Sequence, residues 1–539
     1  MVVGTLILIG FTVSGYFFKA KEAPDKSPKE RFLSKTIERD SSWDTLRFYV
    51  DWSQLKAKEK EKYEKYIDAA FVYFSNALKV HQITSSSTWD EFFIESESCK
   101  ILYDRYKGKL IKSTDMLVII KNEYDYSELY GGTFTTCGND PETNQPIAAV
   151  IGFNSANVDI VDKGADGFIM VMTHLIARVL GFNKESAKKF INQNGTNYLE
   201  DELFTIKNVR GLANQVFLST PKVQKLAREA FNCDSLPGIQ LENQNDYAYF
   251  VWDKRMMRDD YLTVNALESD VVYSDLTLAV FEDSGWYQPD YSYGTKISFG
   301  YKKGCEFIED KCIIDEQPIS EEFCVNDGVL CDPTHLSYGY CDLGDFKDDI
   351  PFEFRYFSSN TLGGEYYTDY CPVNTRQISC RSNLFEPDSN IGETFCLNCR
   401  CIEGNFSLDG NRTYFVGCHE ITCYESYFIV AIGNSNVNCT NEGELLKVDG
   451  FYGFLECPSI NKVCGDAPCK NNCYGGKCVN GTCENGGDSD DFEGEYYPDY
   501  GGNKIDPDES SYYINLSDYV YNSQGSALQY FLGFLFLGS

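Results

Sequence analysis

His174 and Arg178 stand four residues apart in the stretch DGFIMVMTHLIARVLGF (166–182), and side chains at that spacing share one face of a helix. With histidine at both positions and glutamate directly after the first, such a face reads His-Glu-x-x-His: two imidazoles hold a zinc ion and the carboxylate activates the bound water. Here Leu175 occupies the glutamate position and has no group able to take a proton. Arg178 occupies the second histidine position; it has no lone pair for a metal and stays charged, so it repels a cation. Taken alone, the stretch reads equally well as a buried apolar helix with one polar histidine.

No second histidine supplies the missing ligands, and an Asp or Glu completing a site around His174 would have the charge of Arg178 beside it. Its four histidines, His81, His174, His335 and His419, include no His-x-x-x-His pair. HEITC (419–423) begins like the zinc motif but ends in a cysteine within a cysteine-dense region. Cys396, Cys399 and Cys401 form a CxxCxC run in that region, where disulfides are the expected state.

The elements that must position His174 are legible around it. MLVIIK (116–121) and PIAAVIGFN (146–154) are apolar, β-branched runs of the kind buried in a sheet, and LRFYVDW (46–52) alternates like a strand. Residues 56–80 place Tyr63, Tyr66, Ile67, Ala70, Phe71, Phe74, Ala77 and Leu78 at helical spacing beneath a Lys/Glu-rich first half. Strand, helix, strands and helix predict an α+β core up to about residue 290 with a mixed sheet, followed by a disulfide-rich, mostly β region.

Composition places the chain in the secretory route. Of 22 cysteines, 19 lie between Cys305 and Cys483, the pattern of a disulfide framework made in an oxidising compartment. Six Asn-x-Ser/Thr sequons, at Asn194, Asn405, Asn411, Asn438, Asn480 and Asn515, agree with an extracellular or cell-surface glycoprotein. The net charge of −33 argues against nucleic acid and anionic membrane surfaces as partners. An extracellular protein or peptide is the expected partner.

The expected organisation runs as follows. Residues 1–20 are a signal peptide or signal anchor and 21–42 a short pro-segment or linker. The core spans 43–290, the Cys-rich region 291–460, and an epidermal-growth-factor-like module 461–484. Residues 485–525 form an acidic Tyr/Gly-rich stalk, and 526–539 an apolar tail that could signal a lipid anchor. That tail is too short to cross a bilayer as a helix.

Several stretches together resemble leishmanolysin, the surface zinc peptidase of the metzincin group. PIAAVIGFN resembles the strand before that family's metal helix, and the helix ends in VLGF as it does there. VWDKR (251–255) resembles the family's His-Trp-Glu-Lys-Arg, SDLTLAVFEDSGWY (274–287) a long family signature, and GCEFIEDKC (304–312) the start of its Cys-rich domain. The resemblance, over roughly residues 43–480, implies a metzincin-like fold and, taken alone, an active zinc metalloendopeptidase. Carried over by position, it implies that His174 is a remnant first ligand. Leu175 replaces the general base, Arg178 and Val251 the other two ligands, and Leu262, in DDYLT, the methionine of the turn beneath the metal. The expected protein is therefore a pseudo-peptidase that binds no cofactor and acts in protein or peptide binding, adhesion or a surface coat. A buried Arg178 requires a partner, and Asp253, beside the former third ligand, is the expected one.

Overall fold

The computed structural model describes residues 20–22, 37 and 39–464, with gaps at 85–92, 95, 110, 125–130, 159, 244–249, 259, 265–270, 327, 376, 382–384 and 412–414, and then 477–479 and 482–484. The apolar runs at both ends, the expected stalk and the sequons Asn480 and Asn515 lie outside the described residues, as does most of the module expected over 461–484.

The chain begins with β1 (Ala20–Glu22), β2 (Arg39–Thr45), β3 (Phe48–Asp51), α1 (Ala57–Ala77), β4 (Leu78–Ile83) and α2 (Lys100–Tyr106). It continues through β5 (Met116–Asn122), β6 (Gly132–Asn139), β7 (Pro146–Phe153) and α3 (Ile160–Leu180). The two apolar runs seen in sequence become the central strands of a five-stranded sheet ordered β1-β6-β7-β5-β3. β3, β5 and β7 run parallel, β6 is antiparallel to β7, and β1 is parallel to β6. The period of two decides which side chain faces which layer. Met116, Val118, Ile120 and Ile151 join the core formed with α1 and α3, while Leu117, Ile119, Ala148 and Val150 join a second core against Leu102 and Tyr106 of α2. A run without polar interruption is what a strand covered on both faces needs.

α1 stops at Ala77, three residues before the helical spacing of the sequence runs out, because Leu78 and Val80 turn their buried side chains into β4. β4 pairs antiparallel with β2. After α3 come α4 (Lys184–Ala187), α5 (Glu200–Leu203), β8 (Phe204–Val209), β9 (Leu212–Leu218), α6 (Pro221–Phe231), β10 (Ile239–Gln240), α7 (Lys254–Met257) and α8 (Asp275–Asp283). β8, β9 and β10 make a three-stranded sheet.

The Cys-rich region does not start a new core at residue 291. Phe299, Phe307, Phe323, Phe354, Tyr370 and Val373 belong to the same buried cluster as α1 and α3, so the core runs across the expected boundary. A separate core appears further on, under an antiparallel six-stranded sheet that includes Cys399–Gly404, Phe415–Cys423 and Phe428–Ile432. Nine disulfides use 18 of the 22 cysteines, and no free cysteine occurs among the described residues. Cys396 pairs with Cys399, and Cys401 with Cys331, so CxxCxC is a disulfide run. Cys464, expected to open the small terminal module, pairs back to Cys423. Such a framework forms in an oxidising compartment. Among the described residues no helix is long and apolar enough to cross a membrane.

A buried ion pair joins the two parts. Arg210 Nη2 lies 2.8 Å from Asp369 Oδ2, with both side chains nearly inaccessible. The same guanidinium donates to the Ile308 carbonyl and to Gln240 Oε1. Asp369 sits at φ 56°, a conformation that asparagine also tolerates, so Asp369→Asn removes the charge without straining the backbone. Leaving Arg210 buried without its counter-charge is expected to cost about 3–5 kcal/mol, read as a lowered urea midpoint of the secreted protein.

Candidate functional site

The described part of α3 is buried wherever its side chains are placed, from Phe168 to Leu180. Its end is set by Gly181 at φ 133°, where an added Cβ would stand 3.0 Å from the Trp286 ring. The Tyr287 hydroxyl donates to the Leu180 carbonyl, and Trp286 Nε1 to the Thr143 carbonyl. The tail of SDLTLAVFEDSGWY thus clamps the turn that closes VLGF, which explains why these two distant stretches occur together.

His174 is buried, and its Nδ1 lies 3.1 Å from the Tyr261 carbonyl oxygen. Burial first, and the Arg178 charge second, push its pKa down to about 3, so the ring is neutral and Nδ1 carries the proton it donates. A ring fixed through one nitrogen on a carbonyl is how metal-binding histidines are commonly oriented. Tyr261 is itself held: its ring stacks on Tyr273 at 4.7 Å, and the neighbouring Asp260 is fully buried. The Asp260 carboxylate accepts from Ser274 Oγ, from Thr277 Oγ1 at 2.9 Å and from the Leu262 amide at 2.8 Å. Thr277 Oγ1 in turn accepts from Trp252 Nε1 at 2.8 Å. This knot fixes the turn holding Leu262, which is fully buried, against the start of α8.

Arg178, one turn beyond His174, is also buried. Its Nη1 donates to the Phe250 carbonyl, and its guanidinium carbon lies 4.8 Å from the centre of the Phe134 ring on β6. Leu175 turns toward the same strand: a Cβ added to Gly132 would lie 2.7 Å from Leu175 Cδ1, so the leucine fills space that the glycine leaves. Val251 is half-buried, and its carbonyl accepts from the Glu242 amide at 2.9 Å.

Asp253 takes different partners from the one expected. Its Oδ1 caps α7 by accepting from the Met256 amide, and its Oδ2 accepts from Gln240 Nε2. In place of the expected Arg178–Asp253 pair, the arginine meets a backbone carbonyl and an aromatic face. The carboxylate joins the buried network of Arg210 and Asp369. Burial, then the charge of Asp369, push the Asp253 pKa up to about 7.

Whether these side chains suit a divalent ion is a question of donors. His174 offers one nitrogen; a guanidinium lies beside it on the helix face, and Leu175 and Val251 offer none. Among the described residues, groups of three ligand atoms form at Cys233, Cys305 and Glu309 and at Cys324, Cys341 and Asp342, and the sulfurs of both groups are in disulfides. The described residues around His174 do not fit a zinc ion. His419 of HEITC lies between Cys418 and Cys423, both in disulfides, and is buried against Phe406 and Phe415. Phe134, Phe250, Tyr261 and Asp260 were not identifiable from sequence: two act through backbone carbonyls, one through a ring face, and Asp260 through a carboxylate that only holds the turn of Leu262.

The family model described as leishmanolysin, Peptidase_M8, matches residues 64–472. The chain is 28% identical over 348 residues to the leishmanolysin homolog of Crithidia fasciculata, covering 60% of this chain and 51% of that protein. It is 28% identical over 378 residues to leishmanolysin of Leishmania tropica (65% and 54% covered) and 29% identical over 303 residues to the leishmanolysin-like peptidase of Caenorhabditis elegans (46% and 45%). The chain spans about half the length of these relatives.

The neutral His174 gives a test with a defined sign. Its folded pKa of about 3 lies below the ordinary 6.5, so its contribution is fully present above pH 6.5 and is lost as pH falls toward 3. Asp253 and Asp260, pushed up to about 7 and about 6 by burial, act in the opposite direction, so the native curve alone does not isolate the histidine. The difference between the native protein and His174→Asn does. Between pH 7 and pH 4.5 the native protein is expected to lose on the order of 2 kcal/mol more than the variant, measured from urea midpoints.

Proposed function

The chain belongs to the leishmanolysin family, and we propose that within it this protein is a secreted or surface glycoprotein that binds protein or peptide and cleaves nothing. The observation that carries this reading is Arg178. A buried guanidinium shares the helix face of His174, donates to the Phe250 carbonyl and lies against the Phe134 ring, so a fixed positive charge stands where the family resemblance calls for a metal ligand. With Leu175 apolar, no carboxylate follows His174 to take a proton from water.

Binding needs neither. β6 lies beside α3 and accepts an added strand: Ala20, Lys21 and Glu22 of the chain's own β1 pair with Gly132, Thr133 and Phe134. An extended peptide that displaces β1 would take up the same main-chain pairing, with no need of a metal. Four sequons among the described residues, Asn194, Asn405, Asn411 and Asn438, are exposed, which supports the glycoprotein part of the reading. Attachment to a membrane through a lipid anchor or an N-terminal signal anchor, and roles in adhesion or a surface coat, belong to the same proposal.

The competing reading is an active zinc endopeptidase, which the names of the relatives favour. Zinc content and peptidase activity of the purified protein separate the two. The expected result is no stoichiometric zinc and no chelator-sensitive cleavage in the native protein, with zinc gained by Arg178→His/Val251→His, which would supply three histidines with His174. Stoichiometric zinc together with chelator-sensitive cleavage in the native protein would overturn the proposal.

A further inference from the structure

The loop after Cys399–Gly404 carries two sequons, at Asn405 and Asn411, and faces an unusual group of exposed apolar side chains. Leu408, Leu445, Tyr452 and Phe454 are 48%, 63%, 68% and 46% exposed. The pairing of Gly404 with Leu455 and of Ser407 with Tyr452 shares one register, and that register sets Asn405 directly opposite Phe454. Side chains so placed stand on one face about 5 Å apart at Cβ. Leu455, next to Phe454, is fully buried and points the other way, whereas Leu445, Phe454 and Glu456 are all exposed.

Asn405 is held for a purpose its own burial does not explain. Its amide donates to the Phe454 carbonyl at 3.0 Å, and its side-chain Oδ1 accepts from the Phe454 amide at 2.7 Å. This substitution of a side-chain carbonyl for a backbone one is possible because Gly453 adopts φ 99°; a Cβ there would come within 2.1 Å of the Asn405 carbonyl oxygen. With Oδ1 pinned, the planar amide fixes the direction in which Nδ2 leaves the protein. Nδ2 is the atom to which an N-linked sugar is joined, and the bond leaves Oδ1 free to keep its hydrogen bond. The Tyr452 ring lies against Gly410, one residue before the second sequon.

Resting on the secreted-glycoprotein reading above, we infer that Asn405 carries an N-linked glycan whose first N-acetylhexosamine lies on the Phe454 ring and covers the neighbouring Leu445 and Tyr452. The sugar's axial C–H groups supply an apolar face to the ring, and its hydroxyls meet the water that the bare patch would otherwise repel. The edge of the six-stranded sheet is then a glycan-covered surface, closed to protein partners. The linkage forms by transfer of a preassembled glycan from its lipid diphosphate donor to Nδ2, with loss of one amide proton and release of the lipid diphosphate.

The test is a thermal cycle on protein secreted from a eukaryotic host. Ser407→Ala abolishes the sequon while keeping the Asn405 amide, and Phe454→Ala removes the ring. Glycopeptide mapping is expected to find Asn405 occupied. Ser407→Ala is expected to lower Tm by about 2–4 °C more in the native background than in the Phe454→Ala background. Any direct effect of losing the serine hydroxyl appears in both backgrounds and cancels in the difference. A bare Asn405 in the secreted protein, or equal losses in the two backgrounds, would overturn the inference.

Discussion

Two side-chain bonds to backbone carbonyls tie α3 to the segment that crosses beneath it: His174 to Tyr261 and Arg178 to Phe250. By the family resemblance, these are the two places a shared metal would bridge, the helix face and the stretch that carries the third ligand. A bound ion stabilises the fold that holds it. In this chain the connection is made by hydrogen bonds, one from a neutral imidazole and one from a charged guanidinium. A hydrogen bond from a charged donor contributes about 1.5–3 kcal/mol. Packing adds to it, and Leu175 against Gly132 is where it is visible.

The same crossing segment is fastened on its far side to the Cys-rich region. Lys254 Nζ lies 2.8 Å from Glu365, and the Arg255 guanidinium lies against the stacked Phe307 and Phe323 rings, 4.8 and 4.4 Å from their centres. Arg258 donates to the Asn374 carbonyl, and Asp253 reaches Arg210 and Asp369 through Gln240. Lys254 and Arg255 therefore face the Cys-rich region, and Asp253 reaches it through Gln240 and Arg210. The work of these three residues, next to Val251, is structural.

Much of this was legible in the sequence, and the failures have physical causes. The central strands were readable because a sheet covered on both faces demands unbroken apolar runs, and the turn after α3 because only glycine suits φ 133° against Trp286. The bond from Arg178 to Phe250 was not: sequence reasoning points to Asp253 because it lies beside the position of the former third ligand, but any residue can present a backbone carbonyl. The end of the core at residue 290 was misplaced for a similar reason. Rising cysteine density marks where disulfides begin, yet Phe299, Phe307 and Phe323 continue the first core beyond it. Disulfide partners were also unreadable: Cys464 lies five residues before the next cysteine but pairs 41 residues back.

The packing around Leu175 bears on what chemistry position 175 can support. Ligand positions such as Arg178 and Val251 lie where a histidine could be accommodated by exchanging one side chain for another of moderate size. The base position is different. Leu175 is fully buried, and its methyl group occupies the space over Gly132 on a strand whose next residues pair with β1. With Arg178 exchanged for a histidine, a carboxylate there would be buried against apolar atoms with no guanidinium beside it, and such a charge neutralises by taking up a proton. A protonated acid cannot activate water. Supplying metal ligands and supplying a base are therefore separate problems: the first depends on donors at two positions, the second on opening the contact between α3 and β6. That contact also places Phe134 beneath Arg178, so the apolar base position and the buried cation rest on one strand.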